Sequence, residues 1–534
     1  MDPVAELLNE IAGNVPRSRL ELRRLKLAAA ARTHGPLIRN DALLARYRRD
    51  VALGRRAPDH HLEQALALNR IRSESGVATI TVITAPYACP GRCVYCPTEA
   101  HAPKSYLTNE PAMMRAVRNE YDPYRQVCSR LEALDQTGHL TEKIELIIKG
   151  GTWSFYPETY QRWFIRRCFE AANRGPDASP QDDDTPSLTQ AQQMNETARQ
   201  RIIGITIETR PDYIDLAELR RLRELGVTRV ELGVQTLDEQ VLALIVRDHG
   251  TAQVRAATRL LRDAGFKVAY HLMPNLPGAT LASDLETARR LFDDPSFCPD
   301  AIKLYPCVVI DSAELFQWWQ TGRYVPYDDD TLIELLIQIK QLVPPFVRIE
   351  RVIRDIPSTS IRAGCAVTNL RELVQQRLRG RGLRCQCIRC RQVREPTDGA
   401  FRLVRRRYQT DGGEEIFLSF EDPGADTLAS LLRLRIPTPR TTEPLSPTLQ
   451  DAALIRELHT YGPHLSLHQR TQGAAQHRGF GAQLLHEAER IARDEHHCPR
   501  LAVIAGVGVR EYYRRFGYEL EDTYMVKQLI NDMC

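Results

Sequence analysis

Cys89-Pro-Gly-Arg-Cys93-Val-Tyr-Cys96 follows directly on the apolar run Val77 to Ile83. Three cysteines spaced C-x3-C-x2-C, on the loop behind a strand-like segment, offer three thiolates to a cubane iron–sulfur cluster and leave its fourth iron without a protein ligand. An open iron is a place for chemistry. The competing use of such a triplet is a zinc knuckle with a fourth ligand elsewhere. Structural zinc favours four closed ligands drawn from paired C-x2-C units. Spacing, and a position after the first strand of a regular series, therefore favour iron and sulfide.

The series extends downstream. Val77 to Thr84, Ile144 to Lys149, Ile202 to Glu208, Arg229 to Val234, Lys267 to Leu272 and Ala301 to Tyr305 are rich enough in β-branched and apolar residues for strands buried on both faces. Segments such as Tyr213 to Leu225, Thr251 to Ala264 and Leu281 to Phe292 are long enough for crossover helices. The reading is an α/β chain whose residues 76–345 form an open, partial (βα)6 TIM-like barrel, with its chemistry at the strand C-terminal ends. Polar residues stand there: Lys149, Glu208-Thr-Arg210-Pro-Asp212, Gln235 and His271, with Lys303 inside the sixth strand. Each could instead be a buried charge satisfied by a partner. Together they line a site.

Around the barrel the chain changes character. Residues 1–75 read as a basic helical segment, with twelve Lys/Arg against three acids between Arg17 and Arg56, the footprint of a phosphate-backbone binder. A solvated helix face is the plainer alternative. Gly175 to Arg201, with Asp182-Asp-Asp184, reads as a mobile surface insertion without chemistry. Residues 346–395 are a connector whose Cys385-Gln-Cys387-Ile-Arg-Cys390 provides three thiolates for a structural zinc. Cys307 or Cys365 is the candidate fourth ligand, and Cys307 is preferred because it would tie the connector to the barrel. Residues 396–534 then form a second α/β domain. No apolar run of membrane-spanning length and no signal peptide appear, and thirteen cysteines are used as for metal sites, so a cytoplasmic address, no membrane partner and oxygen sensitivity are expected.

Lys149-Gly150-Gly151-Thr152 after the second strand, taken with the cysteine triplet, resembles the radical S-adenosylmethionine superfamily. The resemblance implies a 4Fe-4S cluster on Cys89, Cys93 and Cys96, and S-adenosylmethionine chelated by the open iron. Gly150 and Gly151 would accept its amino group, Tyr95 would pack near adenine, and Glu208 and Arg210 would join the cofactor-binding set. An external electron donor follows. Further on, Gln476-His477-Arg478-Gly479-Phe480-Gly481 opens a helix, where freed backbone N–H groups and the helix dipole suit a pyrophosphate. With the strand Leu501 to Ile504 and Gly506-Val-Gly-Val-Arg-Glu-Tyr512-Tyr513, it resembles the N-acetyltransferase superfamily and implies acetyl-coenzyme A, held by Gln476 to Gly481 with Tyr512 and Tyr513 near the thioester. Core packing is the other use of those tyrosines.

A radical barrel fused to an acetyltransferase domain, with Tyr121-Asp-Pro-Tyr124, Ile207-Glu-Thr-Arg-Pro-Asp212 and Glu231-Leu-Gly-Val-Gln235, resembles the family of the catalytic acetyltransferase subunit of Elongator in its single-chain bacterial or archaeal form. This implies a tRNA-modifying enzyme that places a carboxymethyl-type group on carbon 5 of the wobble uridine. S-adenosylmethionine would supply the radical and acetyl-coenzyme A the two-carbon unit. Lys149, Gln235, His271, Lys303, Tyr512 and Tyr513 are the catalytic candidates, and a homodimer is compatible with the reading. The rival is a protein lysine acetyltransferase with a structural iron–sulfur domain, for which Glu487 and Glu511 are available bases. A tRNA-binding scaffold with degenerate sites is a third reading, which an intact cysteine triplet and glycine motif oppose.

Overall fold

A computed structural model of the chain describes residues 2–16, 18–33, 35–66, 76–175, 186–394, 397, 399–438, 445–462 and 478–530. Seven strands form one all-parallel sheet in sequence order: β1 (Ala78–Ile83), β2 (Lys143–Lys149), β3 (Arg201–Thr209), β4 (Arg229–Gln235), β5 (Lys267–Leu272), β6 (Ala301–Leu304) and β7 (Arg348–Arg351). The six expected strands are present, and β7 adds a seventh where the connector was expected. Its sequence, Arg-Ile-Glu-Arg, carries one apolar residue, so no buried-strand pattern marks it. The sheet is open between β1 and β7, as a partial barrel requires. Crossover helices start on local signals: Asp122 accepts from Arg125 N ahead of Pro123, and Thr280 and Ser283 form a capping box before Leu281–Asp293.

The second sheet has the order β13-β14-β12-β11-β10-β9-β8. Its strands are β8 (Arg402–Thr410), β9 (Gly413–Asp422), β10 (Thr427–Pro437), β11 (Ala452–Thr460), β12 (Arg500–Val503), β13 (Glu519–Glu521) and β14 (Tyr524–Gln528). All neighbours run antiparallel except β11 and β12, which pair in parallel only from Ala452↔Arg500 to Ile455↔Val503. Beyond Ile455, β11 continues past the end of β12 at Val503. A bulge at this point, where Leu434 faces Ile455 but Arg433 faces Glu457, changes which side chains face which way. Ala453 and Ile455 pack into the domain core with the helix Phe480–Arg490, whereas Glu457 and Tyr461 face the barrel.

The acetyltransferase-like sheet is seated under the N-terminal ends of the barrel strands. Gly506 and Gly508 lie so close to β3 that an added Cβ would stand 2.0 Å from Ile203 O and 2.6 Å from Arg201 Cβ. Gly506→Ala should therefore cost about 1–3 kcal/mol by overpacking, read as a lowered Tm and easier proteolytic release of the C-terminal domain. Burial here is also ionic: Arg456 donates to Asp300 (2.8 and 2.6 Å) and Glu415 (3.1 and 3.0 Å), and Arg435 to Asp263 (3.0 Å).

The expectation of a mobile insertion holds for none of its described part. Residues 176–185 lie outside the described residues, but Leu188–Asn195 is a helix capped by Ser187 and Gln190. Asn195 is fully buried and accepts from Ile202 N at 2.7 Å, and Glu196 bridges to Arg510 (3.0 Å) and Arg514 (2.6 Å). Its polar composition serves a domain contact. The N-terminal segment forms four helices, Pro3–Gly13, Arg19–Thr33, Asn40–Ala52 and His60–Leu66, around a small core of Leu7, Leu8, Ile11, Leu43 and Leu44. No helix among the described residues is long and apolar enough to cross a membrane.

Candidate active site at the strand ends

The loop after β1 carries Cys89, Cys93 and Cys96. Their sulfurs do not close into a single-ion group, as those of Cys385, Cys387 and Cys390 do. Wider spacing suits a cubane, whose ligands bind separate irons. Arg247 donates from Nη1 to Cys93 Sγ at 3.3 Å, and Cys89 Sγ lies 3.9 Å from Thr152 Oγ1. Arg210 packs over Gly91, where an added Cβ would stand 2.6 Å from its Nη1, a buried atom with no hydrogen-bond partner. Burial, followed by Cys93, pushes the Cys96 thiol up to about 12. A Cys96 thiol that resists ionisation by itself, in a loop flanked by two guanidiniums, suits a cationic cluster that fixes it as a thiolate. The residues fit the group.

Beside the cluster loop the β2 end turns through Gly150 (φ 136°) and Gly151 (φ 95°). A Cβ on Gly150 would lie 1.8 Å from Thr84 Oγ1, so only glycine fits. Tyr95 is buried next to an apolar pocket lined by Met273, Pro306, Ile353 and Arg354.

Lys149, Glu208, His271 and Lys303 form a single network inside the barrel. Lys149 Nζ meets Glu208 Oε1 at 3.0 Å, and Tyr106 donates to Glu208 Oε2 at 2.6 Å. His271 Nε2 lies 2.7 Å from Glu231 Oε2 and 3.9 Å from Glu208. Lys303 pairs with Glu231, and Arg229 joins Glu231 (3.0 Å) and Glu350. Burial would raise the Glu231 carboxyl, but Lys303 and Arg229 hold it well below the usual range. Burial would lower Lys149 and Lys303, yet Glu208 and Glu231 respectively keep each ammonium raised. Burial outweighs the Glu231 bond at His271, whose pKa is lowered. Around neutral pH the network thus carries ionised lysines and glutamates about a neutral imidazole, a group able to accept or relay a proton.

Gln235 ends β4 with φ 71°, and its buried Oε1 has no partner. Glu208, Lys149, His271 and Lys303 were legible as strand-end polar residues. Glu231, the centre of the network, was not placed among the site residues. One carboxylate in the strand Arg229–Gln235, 1% exposed, is the signal that could have found it. Arg247, Tyr106 and Glu350 give no comparable signal, because their partners are remote in sequence.

The connector cysteines lie apart from this network. Cys385, Cys387 and Cys390 come within single-ion distance of one another, with Lys340 Nζ 3.8 Å from Cys390 Sγ. Hydrogen bonds from Cys385 and then Cys390 hold the Cys387 thiol well below its usual value, which suits a metal ligand. Cys307 does not join them, contrary to expectation. It follows the C-terminal end of β6, with its N–H on Pro274 O at 2.9 Å, whereas the connector packs at the other end of the barrel through Ile388 N on Val347 O at 3.0 Å. Cys365 is also outside the group.

At the start of the helix Phe480–Arg490, Gln476 and His477 lie outside the described residues. Gly479 is left-handed (φ 71°), and an added Cβ on Gly481 would stand 3.1 Å from Tyr512 Oη and 3.7 Å from Thr460 Oγ1. Gly481, Tyr512 and Thr460 therefore lie together, beyond the last paired residues of β11 and β12. Arg478 instead donates to Gly399 O at 3.0 Å, the Phe480 ring stacks on Phe420 with centroids 4.3 Å apart, and Tyr513 is buried in the domain core.

Residues 83–291 match the model of the radical SAM superfamily, and residues 299–380 that of the radical SAM C-terminal domain. A tRNA uridine(34) acetyltransferase of Dehalococcoides mccartyi is 48% identical over 86% of this chain and 99% of its own length. Elongator complex protein 3 of Danio rerio is 41% identical over 88% of each chain. The structure of the archaeal Methanocaldococcus infernus Elp3, lacking its N-terminus, superposes with a TM-score of 0.73 at 39% identity, covering 85% of this chain and 99% of that one. The similarity thus spans most of the chain, which belongs to the family of tRNA uridine(34) acetyltransferases and Elongator complex protein 3.

Proposed function

We propose that this chain modifies carbon 5 of the wobble uridine of tRNA with a carboxymethyl-type group, using S-adenosylmethionine and acetyl-coenzyme A. The observation that carries the reading is the buried Lys149–Glu208–His271–Glu231–Lys303 network directly beneath the cysteine loop and Gly150, in a chain whose relatives bear the names above. Cys89, Cys93 and Cys96 would hold a 4Fe-4S cluster, which when bound supplies the electron that cleaves S-adenosylmethionine to a 5′-deoxyadenosyl radical. Gly150 and Gly151 leave room for the methionine moiety at the strand end, and Tyr95 with the Met273–Pro306 pocket offers an apolar bed for the nucleoside. The neutral His271 donates from Nε2 to Glu231, which leaves Nδ1 as its proton-accepting nitrogen. At the other end of the barrel Gly481, Thr460 and Tyr512 lie together where acetyl-coenzyme A would bind.

The proposal also assigns tRNA to the basic N-terminal helices, a zinc ion to Cys385, Cys387 and Cys390, an external electron donor, a cytoplasmic address and a homodimer, which sedimentation tests. Both candidate bases of the lysine acetyltransferase reading stand in ion pairs within their own helical turns. Glu487 is paired with Arg490 at 2.8 Å, and Glu511 with Arg514.

The deciding experiment is mass spectrometry of tRNA nucleosides after incubation with anaerobically reconstituted protein, reductant and both cofactors. A modified uridine that requires both cofactors is expected. Acetyl-coenzyme A turnover stimulated by a lysine peptide and not by tRNA would favour the rival.

A further inference from the structure

Among the described residues only two aromatic side chains are exposed, Tyr87 (46%) and Trp163 (37%), and they stand at the two ends of one stack. Tyr87 lies on Tyr156 with ring centroids 5.0 Å apart and planes 29° from parallel, Tyr156 on Tyr160 at 5.1 Å, and Tyr160 against Trp163 at 5.5 Å. Trp163 belongs to the crossover helix Glu158–Arg174. Tyr87 stands two residues ahead of Cys89, at the rim of the strand-end site.

The stack holds Tyr87 in place. Ala85 N–H donates to Tyr160 Oη at 2.9 Å, and the Tyr156 hydroxyl lies 2.8 Å from Ala85 O and 3.0 Å from Gly150 O, so the chain is anchored two residues before the ring and tied to the glycine turn of β2. Pro86 then narrows the backbone choices between anchor and ring. One face of Tyr87 is taken by Tyr156, and its exposure is on the other. Phe155, 6.0 Å from Tyr87, and Tyr213, edge-on to Phe155 at 6.0 Å, continue the rim towards Arg210. Arg92, in the same cysteine loop, is exposed and stands in no ion pair among the described residues. A ring with an open face, fixed beforehand and accompanied by a free guanidinium, is what an unstacked base and its phosphate require, at little ordering cost.

We propose that Tyr87 is the stacking platform for a nucleobase that adjoins the target uridine. The inference rests on the tRNA reading above. The strand-end network centres on Glu231 and Lys303, both buried, so a base that reaches it has left its own stack, and its neighbour has lost a partner. Tyr87 replaces that partner and Arg92 meets the phosphate.

The test measures binding of an RNA anticodon stem-loop, with uridine at the wobble position and 2-aminopurine on one side of it or the other in two separate RNAs, to the full-length protein. Tyr87→Ala is expected to weaken binding roughly tenfold and to leave the slope of affinity against salt unchanged, because no phosphate contact is lost. Arg92→Ala, by contrast, should lower that slope by about one. In one of the two RNAs the 2-aminopurine is quenched in the parent complex and brightens in the saturated Tyr87→Ala complex. Tyr87→Trp keeps a stacking face and binds within about twofold of the parent, and Trp163→Ala, at the far end of the stack, binds as the parent does. No binding by the parent, parent-like binding by Tyr87→Ala, absence of a Tyr87-dependent quench, or an equal loss in Trp163→Ala would overturn the assignment. Nucleoside mass spectrometry is run on the same preparations. A modified uridine formed with an affinity indifferent to Tyr87 removes the platform alone; Tyr87-dependent binding without a modified uridine removes the carbon 5 reading and leaves the platform.

Discussion

Cys93→Ser is expected to reduce 5′-deoxyadenosine formation from S-adenosylmethionine to background, a loss of at least about 100-fold. Cys93 is the middle cysteine of the loop, the proposed second ligand, and the one its surroundings hold most firmly. It is 7% exposed, and the Arg247 guanidinium, itself 7% exposed, donates to its sulfur. Serine presents a hydroxyl that does not ionise readily in so buried a place, and soft thiolate is what iron–sulfur clusters select. Iron and sulfide content should fall together with cleavage, whereas acetyl-coenzyme A binding and far-ultraviolet circular dichroism stay unchanged, because the second sheet lies at the other end of the barrel. Full cleavage with a normal iron content in the serine variant would dismiss Cys93 as a ligand.

The second large effect concerns stability. Asp300 is 4% exposed and accepts from both Arg456 Nη atoms and from Val268 N at 2.8 Å, with Arg433 close by. Asp300→Ala leaves those buried guanidiniums undercompensated and should cost about 3–5 kcal/mol, measured as a loss of unfolding free energy in urea. Removing both partners is milder, because a buried pair barely exceeds its own desolvation. Asp300→Leu with Arg456→Met should therefore be less destabilised than Asp300→Ala. If the single and double variants lose the same stability, the ion cluster is not what holds this contact.

The same cluster sets an acid limit. Burial would raise the Asp300 carboxyl, but Arg456 and Arg433 hold it well below its usual value, and burial at Glu457 is likewise outweighed by Lys267 and Arg433, which bring it down to about 2. A carboxyl with a depressed folded pKa contributes stability above its unfolded value of about 4 and loses it as the pH falls through the folded value. The domain contact should loosen between about pH 4 and pH 2. The Asp300→Ala variant should show a shallower acid dependence than the parent.

Much of this protein is written in local pattern. Cys89, Cys93 and Cys96 sit within eight residues, and a β-branched run followed by a helical segment repeats along the chain, so cluster loop, barrel and strand-end polar residues are legible in the order of residues alone. β7 escaped, because Arg348-Ile-Glu-Arg351 has too few apolar residues to mark a strand. Polar composition also misled at Leu188–Asn195, where Asn195 and Glu196 are interior contacts rather than a solvated loop.

The sequence by itself determined the cysteine triplet of the loop, the alternation that builds the barrel and the glycines of both motifs, because each depends on residues near one another in the chain. Only the tertiary structure decided that Cys307 stands at the opposite end of the barrel from Cys385, that Glu231 gathers His271, Lys303 and Arg229, and that Arg433 keeps an unmet N–H between two domains. A buried charge is specified by its partners, and these partners come from strands that are distant in sequence and adjacent only once the sheets close.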